Sequence, residues 1–357
     1  MNAISSALKR LIISLLLGAN LGTIALLWLS VAMTLVSPEH FPRLAQLALA
    51  FPVFLVADLA FVLLWLLFHI RLAWVPLAGA LIVGSAILDY CPLHRDSKAA
   101  EGDTLTFVTY NVGGKWSTEE TTDSLLTYLA STEADIICLQ EARKDLLTDS
   151  DGKAWLKQHD YHMLQCQSEV ILSHHPFLSD TIHIDYPTRS NHSFAAWVDV
   201  DGDSLLVVNN HLESNALTNE EKAEYAGIIT DPHRTTIESG SHMMLAKLAE
   251  AAVYRGAQAD TLCAIADRHA DHDIIVCGDF NDTPVSYTHR QLTRRLHSAF
   301  CQAGRGPGIS YSQFAFAVRI DHLFYPQSWT CSACRIDRTV TLSDHYPLTA
   351  RLHRKHH

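Results

Sequence analysis

Three short segments in the C-terminal part of the chain carry carboxylates, amides and imidazoles at closely spaced positions. They are residues 278–282 (Gly-Asp-Phe-Asn-Asp), 319–322 (Arg-Ile-Asp-His) and 343–345 (Ser-Asp-His). Short apolar runs, 274–277 and 340–342, lead into the first and the third, and such runs are typical of buried strands. Polar groups at strand ends can converge at one edge of a sheet, where a metal ion and a phosphate group could be bound.

Further oxygen donors follow apolar runs earlier in the chain. Asn111 and Glu141 end two such runs, and with Asp279, Asn281 and Asp344 they form a set of carboxylate and amide groups. Oxygen ligands without clustered Cys or His suit a hard divalent cation such as Mg²⁺, for which Mn²⁺ can substitute. Each residue alone has an ordinary interpretation as a turn or surface residue. The set favours a magnesium site, with Glu141 as the first-choice ligand.

Two of the 21 histidines stand where an imidazole could move a proton. His211 follows the apolar run 205–210, and His345 is adjacent to Asp344. A buried aspartate can hold such a ring and stabilise its charged form, and Asp321 is the candidate. The remaining histidines are interpreted as structural.

The elements that must position these residues are many strands interleaved with a few helices. Strands are predicted over residues 104–112, 134–139, 170–173, 194–200, 204–210 and 273–277, near 314 and 323, and after 339. Helices are predicted over residues 118–130, 218–224, 242–267 and 287–300. Because strands and helices do not alternate strictly, a doubly wound parallel sheet fits poorly. Two sheets packed face to face, with helices outside, fit better.

The N-terminal region, residues 1–93, is almost wholly apolar. Its three long apolar runs are residues 11–36, 44–70 and 72–90. Each reaches the roughly 20 residues needed to cross a bilayer, so three transmembrane helices are predicted. A buried helical domain is the alternative, and the two later runs argue against a cleavable signal peptide. Residues 94–103 then form a linker, and 104–357 a catalytic domain.

The orientation in the membrane follows from the basic residues that flank these runs. Lys9, Arg10 and Arg71 favour the cytoplasmic side by the positive-inside rule, although Arg43 lies on the opposite side. With three spans, the catalytic domain is then expected outside the cytoplasm, on a bacterial-type cytoplasmic membrane. Asp58, within the second span, has either a functional or a helix-packing role.

Charge and cysteine content bear on possible partners. The net charge is −11; residues 1–95 carry +2, and the remainder therefore carries −13. Such acidity disfavours nucleic acid, whose binding rests on many Lys and Arg contacts, although the acids also suit a solvated surface. Cys331 and Cys334 form a C-x-x-C without a second pair, which indicates packing or one disulfide.

Six ordered segments between about residues 104 and 352 resemble the endonuclease/exonuclease/phosphatase superfamily, the deoxyribonuclease-like metal-dependent phosphoesterases. These segments are residues 110–112, 139–141, 209–212, 278–282, 319–321 and 343–345. The resemblance implies an α/β fold, a four-layer α/β/β/α sandwich, preceded here by the three predicted transmembrane helices.

The resemblance also implies how the metal and the attacking water would be held. Glu141 would bind Mg²⁺, with Asn111 and Asp344 close by or ligating through water. Asp279 would orient or deprotonate the attacking water, and Asn281 would hold a phosphoryl oxygen.

Two imidazoles complete the implied site. His345, oriented by Asp321, would stabilise the phosphate in the transition state. His211 would act on the leaving-group oxygen, and Glu169 falls near the position of the acid that pairs with that histidine.

The leading hypothesis is a membrane-anchored, Mg²⁺-dependent phosphoesterase that hydrolyses a phosphodiester or phosphomonoester, on a lipid or a small molecule. The bilayer and the phosphoester are its expected partners. A membrane-tethered nuclease is the alternative, and five arginines could contribute to a local basic patch: Arg189, Arg234, Arg290, Arg294 and Arg295. An alternative of another class is a catalytically inactive, membrane-anchored binding domain.

Overall fold

The N-terminal apolar runs fold into helices in this computed structural model, which describes residues 2–94, 104–113, 119–218, 220–223, 237–313 and 316–355. The α-helices are α1 (Asn2–Ala32), α2 (Pro42–Ala45), α3 (Phe51–Phe68), α4 (Trp74–Ile82) and α5 (Gly84–Tyr90). Short 3-10 turns at Met33–Leu35, Gln46–Ala48 and Ile70–Leu72 connect them.

Two helical stretches of the described chain are long and apolar enough to cross a membrane, Ala7–Leu35 and Phe51–Phe68. The third predicted span, residues 72–90, is not one continuous helix. Its halves, α4 and α5, are bent by 68° at a break where Val83 leaves helical geometry with φ −101° and ψ 20°. The prediction of three continuous spans is therefore wrong for the third. The length of an apolar run predicts whether a helix could cross a membrane, but it does not predict a break within the helix. The break depends on the backbone conformation beside Gly84, and glycine is a poor helix former.

Asp58 lies on α3, is buried and faces α1. Asn20 Nδ2 donates to Asp58 Oδ1 at 3.3 Å, and Trp65 Nε1 donates to Asn20 Oδ1 at 3.1 Å. Polar side chains commonly join transmembrane helices in this way. The contact favours the helix-packing role for Asp58.

In the remaining described residues, two six-stranded sheets and one short hairpin form. The strands are β1 (Thr104–Asn111), β2 (Ile136–Gln140), β3 (His162–Cys166), β4 (Glu169–Ser173), β5 (Ile182–His183), β6 (Ser193–Val200), β7 (Asp203–His211), β8 (Asp273–Asp279), β9 (His297–Ser298), β10 (Tyr311–Gln313), β11 (Phe316–Val318), β12 (Asp321–Tyr325), β13 (Trp329–Ile336) and β14 (Leu348–Arg354). The strand order is β13-β14-β1-β2-β4-β3 in the first sheet and β5-β6-β7-β8-β12-β9 in the second, and β10 pairs with β11.

Helices cover the outer faces of both sheets. They are α6 (Glu119–Ser131), α7 (Ser150–Gln158), α8 (Ile237–Arg268) and α9 (Tyr287–Thr293). The short helix α10 (Ala299–Ala303) instead packs into the cluster between the sheets through Ala299 and Phe300. Alternate residues of β1 show how the layers form: Phe107 packs into the cluster between the sheets, while Val108 packs outward with Leu125 of α6. On the other side, Val276 packs with Leu262 of α8. The four layers confirm the predicted α/β sandwich.

Element boundaries differ from the prediction at several places. The predicted helix 287–300 is two helices, α9 and α10, separated by β9. Strand β3 and helix α7 have too weak an apolar pattern to be predicted. Of the predicted linker 94–103, only His94 is among the described residues, so the boundaries at 93 and 103 remain predictions.

The helical region packs against the sandwich at the end of α5. The backbone N–H of Gly306 donates to the Pro92 carbonyl at 2.8 Å, and the buried Arg319 guanidinium donates to the Asp89 carbonyl. Val285 of the sandwich lies in an apolar cluster with Leu27 of α1. These contacts fix the sandwich against the ends of the apolar helices.

Candidate active site

The candidate site lies where four strands end at one edge of the stacked sheets. Asn111 ends β1, and Glu141 follows β2, which runs parallel to β1. In the second sheet, His211 ends β7 and lies opposite Asp279, the last residue of the parallel strand β8. Parallel pairing brings the carboxyl ends of neighbouring strands together, and packing of the two sheets brings both pairs together.

Asn111 joins the two sheets at the centre of the site. Its Nδ2 donates to Glu141 Oε1 at 3.1 Å and to Asp279 Oδ2 at 2.9 Å. Its Oδ1 accepts from the backbone N–H of Gly113 at 2.9 Å, which fixes the orientation of the amide. The structure therefore brings together three of the residues predicted from separate parts of the sequence.

Asp279 lies between the two predicted imidazoles. Its Oδ2 is 3.7 Å from His211 Nε2 and 3.7 Å from His345 Nε2. Burial raises the pKa of Asp279, an effect that the positive charge of His345 opposes and Asp321 reinforces. One buried carboxylate is thus shared by two rings.

His345 is held by Asp321, as the sequence suggested. The distance between His345 Nδ1 and Asp321 Oδ2 is 2.9 Å, and both residues are buried. Burial alone would lower the pKa of His345, but the charges of Asp321 and Asp279 outweigh it and raise the pKa to about 9. The ring therefore carries a positive charge at neutral pH in this arrangement.

His211 lies among three carboxylates. Its Nδ1 is 3.8 Å from Oε1 of the buried Glu169, and its Nε2 is 3.7 Å from Glu141 Oε1. Burial lowers the pKa of His211, yet Glu169, Asp279 and Glu141 together raise it above the ordinary value. Glu169 is the first residue of β4, and it faces the ring of His211, the histidine with which the resemblance pairs it.

Asp344 lies on the loop that leads into His345, beside the loop after β1. A Cβ on Gly113, whose φ is +69°, would lie 2.8 Å from Ser343 Oγ and 3.2 Å from Asp344 Oδ1. Glycine is thus needed for the two loops to approach. The predicted role of Asp344 as a ligand remains a prediction.

Two residues of the site have left-handed backbone conformations. Glu141 has φ 55° and Asn281 has φ 50°. The backbone N–H of Asn281 donates to Asp279 Oδ1 at 2.8 Å, and its Nδ2 donates to the Leu212 carbonyl at 3.0 Å. Such conformations are costly and concentrate at functional sites.

Two buried amides behind the site, those of Asn209 and Gln140, have a structural role that the sequence analysis did not identify. Asn209 of β7 donates from Nδ2 to the Leu139 carbonyl at 2.9 Å and to the Val170 carbonyl at 3.0 Å, both in the first sheet. Gln140 Nε2 returns a hydrogen bond to Asn209 Oδ1 at 2.7 Å. The signal was present, since an amide within an apolar strand must find a partner when buried.

Tyr311 also escaped the sequence analysis. Its ring meets His345 edge-on, with centroids 4.9 Å apart, and Lys222 Nζ donates to its hydroxyl oxygen at 2.9 Å. No local sequence pattern predicts the contact of Tyr311 with His345, because the tertiary fold brings β10 to the site.

The donor set suits a hard divalent cation. The Glu141 side chain is 42% exposed, whereas that of Asp279 is only 2% exposed. A half-open carboxylate beside the Asn111 amide leaves room for the waters that Mg²⁺ keeps. Asp279, Asp321 and His345 also offer ligand atoms within 4.8 Å of one another. We interpret that group as an ion-paired network, because His345 Nδ1 is already bonded to Asp321.

Asp321→Asn is expected to reproduce part of the effect of His345→Ala, lowering turnover at least about tenfold. The amide keeps the ring in place but removes the charge that orients it and holds it protonated. A double-mutant cycle measures the coupling: in the His345→Ala background, Asp321→Asn should cost little more. Additive losses would show that the two residues act separately.

Comparison with protein families gives two matches. The model described as the Endonuclease/Exonuclease/phosphatase family matches residues 108–345. A model described as a domain of unknown function matches residues 13–90. No curated protein matches the chain at a significant level.

Solved structures with a similar fold share little sequence with the chain. The endonuclease/exonuclease/phosphatase from Beutenbergia cavernae is 14% identical over 70% of this chain and 72% of its own, with a TM-score of 0.50. The protein of that description from Bacteroides vulgatus is 16% identical over 71% of this chain and 100% of its own, at 0.49. The human Nocturnin catalytic domain is 15% identical over 71% and 97%, at 0.49. At these identities the likeness concerns the fold alone.

Proposed function

The chain belongs to the endonuclease/exonuclease/phosphatase family, and on that premise we propose that it is a membrane-anchored, Mg²⁺-dependent phosphoesterase. Members of this superfamily are metal-dependent hydrolases that act on phosphoesters. The observation that carries the proposal is the position of Asp279. Its Oδ2 accepts from Asn111 and lies 3.7 Å from both His211 and His345.

Glu141 would hold the metal ion, with Asn111 and Asp344 close by or ligating through water. When bound, Mg²⁺ supplies positive charge to the phosphoryl oxygens and lowers the pKa of a bound water. Glu141 supplies the anionic oxygen that such an ion requires, and Asn111 keeps that oxygen next to Asp279. The half-open position of Glu141 supports this assignment.

Asp279 would orient the attacking water and remove its proton. Its Oδ1 accepts from the backbone N–H of Asn281 at 2.8 Å, whereas its Oδ2 lies 3.7 Å from both imidazoles and is the atom that faces the reaction. The raised pKa that burial gives Asp279 makes it a better base than an exposed aspartate. The Asn281 amide would hold a phosphoryl oxygen.

The two imidazoles would act on different oxygens of the phosphoester. His345, kept charged by Asp321, stabilises negative charge that accumulates on the transferring group. His211, with its pKa raised, is a proton donor for the leaving-group oxygen. Glu169 keeps the donated proton on Nε2 by facing Nδ1.

The substrate is proposed to be a phospholipid or another small phosphoester. The charge of −13 after residue 95 opposes a long polyanion. Two of the arginines that could contribute to the basic patch of a nuclease form ion pairs, Arg189 with Glu213 at 2.8 Å and Arg295 with Asp267 at 2.6 Å. A third, Arg234, lies outside the described residues. The apolar helices support a location next to lipid headgroups, and the convergent site argues against a purely structural domain.

Magnesium titration of the purified full chain tests the proposal. Hydrolysis of bis(p-nitrophenyl) phosphate should be absent with EDTA and should rise to saturation with Mg²⁺ or Mn²⁺. A parallel panel of phospholipids, phosphomonoesters, RNA and single- and double-stranded DNA identifies the class. Preference for DNA or RNA would favour the nuclease alternative, and inactivity on every substrate would favour the binding domain.

We expect the catalytic domain to lie outside the cytoplasm, because Lys9, Arg10 and Arg71 favour the inner side. Two spans alone would return the chain to the cytoplasmic side, so this orientation requires the broken third stretch, α4–α5, to cross as one span. A reporter fused after His357 measures the result: alkaline phosphatase should be active there, and a cytoplasm-only reporter silent. The reverse pattern would place the active site inside the cell.

A further inference from the structure

A basic cavity of about 730 Å³ lies apart from the catalytic residues, beside the end of the helical region. Four basic side chains line it, those of His94, Arg305, Arg335 and Arg338. Apolar walls are added by Phe300 and Ile336, among others, and none of the described residues that line it is acidic. Concentrated positive charge is unusual in a chain whose net charge is −11.

The backbone ties this cavity to the membrane-proximal end of the chain. Leu93, which follows α5, forms an antiparallel bridge with Arg305. The side chain of His94 donates from Nε2 to the Cys301 carbonyl at 2.9 Å, and Gly306 N–H donates to the Pro92 carbonyl at 2.8 Å. The cavity therefore opens where the apolar helices meet the sandwich, and lipid headgroups would surround this level of a membrane-anchored chain.

The chemistry of the lining selects a phosphate-bearing anion. Guanidinium groups present planar donor forks that match phosphate oxygens, and each basic residue near an anionic membrane surface adds attraction. Arg305 and Arg335 are both exposed and line the same cavity. The apolar wall beside them suits the glycerol and first carbons of an acyl chain.

We propose that this cavity binds the phosphate of an anionic glycerophospholipid headgroup and thereby orients the catalytic domain on the membrane. The site is separate from the residues that would perform catalysis. It rests on the proposed membrane anchoring but not on the proposed hydrolysis, so the two can fail independently.

Thermal unfolding of the detergent-purified full chain tests the proposal with EDTA present, so that metal-dependent binding is suppressed. Three ligands are titrated: dioctanoyl phosphatidylglycerol, dioctanoyl phosphatidylcholine and inorganic phosphate. The phosphatidylglycerol should raise the Tm of the wild type, and the other two should do so far less at equal concentration. A ligand that binds only the folded state must produce such a shift.

The double variant Arg305→Gln/Arg335→Gln should bind phosphatidylglycerol at least about tenfold more weakly, the scale expected for two lost charges at a membrane surface. Arg268→Gln/Lys153→Gln removes two exposed charges elsewhere on the sandwich and should retain the full shift. Without lipid, both variants should unfold cooperatively at a Tm close to that of the wild type, which shows that they are folded.

Three results would overturn the proposal. The first is an unchanged Tm of the wild type with phosphatidylglycerol, and the second is a full shift in Arg305→Gln/Arg335→Gln. The third is an equal shift with inorganic phosphate, which would identify a free-phosphate site rather than a lipid site. Restoration of lipid binding by Arg305→Lys/Arg335→Lys, which keeps the charge, would support it further.

Discussion

Glu141→Gln is expected to lower phosphoester hydrolysis by about a hundredfold or more at low Mg²⁺, with only part of the activity restored by excess metal. The substitution nearly preserves shape, and an amide oxygen can still accept the hydrogen bond from Asn111. What is lost is the negative charge of a half-exposed carboxylate at the site, whose side chain is 42% exposed. The measurement is kcat/KM on an aryl phosphodiester as a function of Mg²⁺ concentration.

Glu133→Gln provides the matched control for this experiment. Glu133 is an exposed residue before β2 that also has a positive φ, 48°, but it contacts none of the site residues described above. Its variant should keep wild-type turnover and the wild-type Mg²⁺ response. Near wild-type turnover of Glu141→Gln at low Mg²⁺ would refute the assignment of Glu141 as a ligand.

His211→Ala is expected to reduce hydrolysis of an alkyl phosphoester by about a hundredfold or more, while an activated aryl phosphoester is comparatively spared. A poor leaving group needs the proton that His211 would donate, whereas a nitrophenolate leaves without it. The experiment compares kcat/KM for a series of substrates whose leaving groups differ in pKa. The slope of log(kcat/KM) against that pKa should become steeper in the variant.

His345→Ala serves as the comparison within the same site. Both imidazoles lie 3.7 Å from Asp279 Oδ2 and both are buried, so loss of either removes a similar group from a similar place. Because His345 acts on the transferring phosphoryl group, its loss should affect good and poor leaving groups alike. Equal losses on both substrates for His211→Ala would leave His211 as a phosphate binder and remove its role as an acid.

The sequence determined which residues could form the site, because the relevant signals are local. Apolar runs of strand length end at Asn111, at Gln140 before Glu141, at His211 and at Asp279, and each polarity change spans only a few residues. The same local signals indicated α6 and α8, two of the helices that cover the sheets. Where the local apolar pattern was weak, as in β3, the sequence predicted no strand.

Tertiary structure alone decided the contacts between these residues. Asn111 and Asp279 are 168 positions apart in the chain, yet their side chains are 2.9 Å apart because one ends a strand in each sheet. The packing of two sheets sets that distance, and no periodicity encodes it. The buried amide of Asn209, which bonds across the sheets, depends on the same packing.

The apolar N-terminal region shows the same division. Apolar length in residues 11–36 and 44–70 predicted helices that the structure contains, because the length of an apolar run is a property of the local sequence. The bend of 68° between α4 and α5 depends on backbone conformation at Val83 and on packing against the sandwich. The Arg319 contact with the Asp89 carbonyl is likewise a tertiary result, since 230 positions separate the two residues. The apolar composition of a segment can be read from neighbouring residues, whereas these distances arise only when segments remote in the chain fold together.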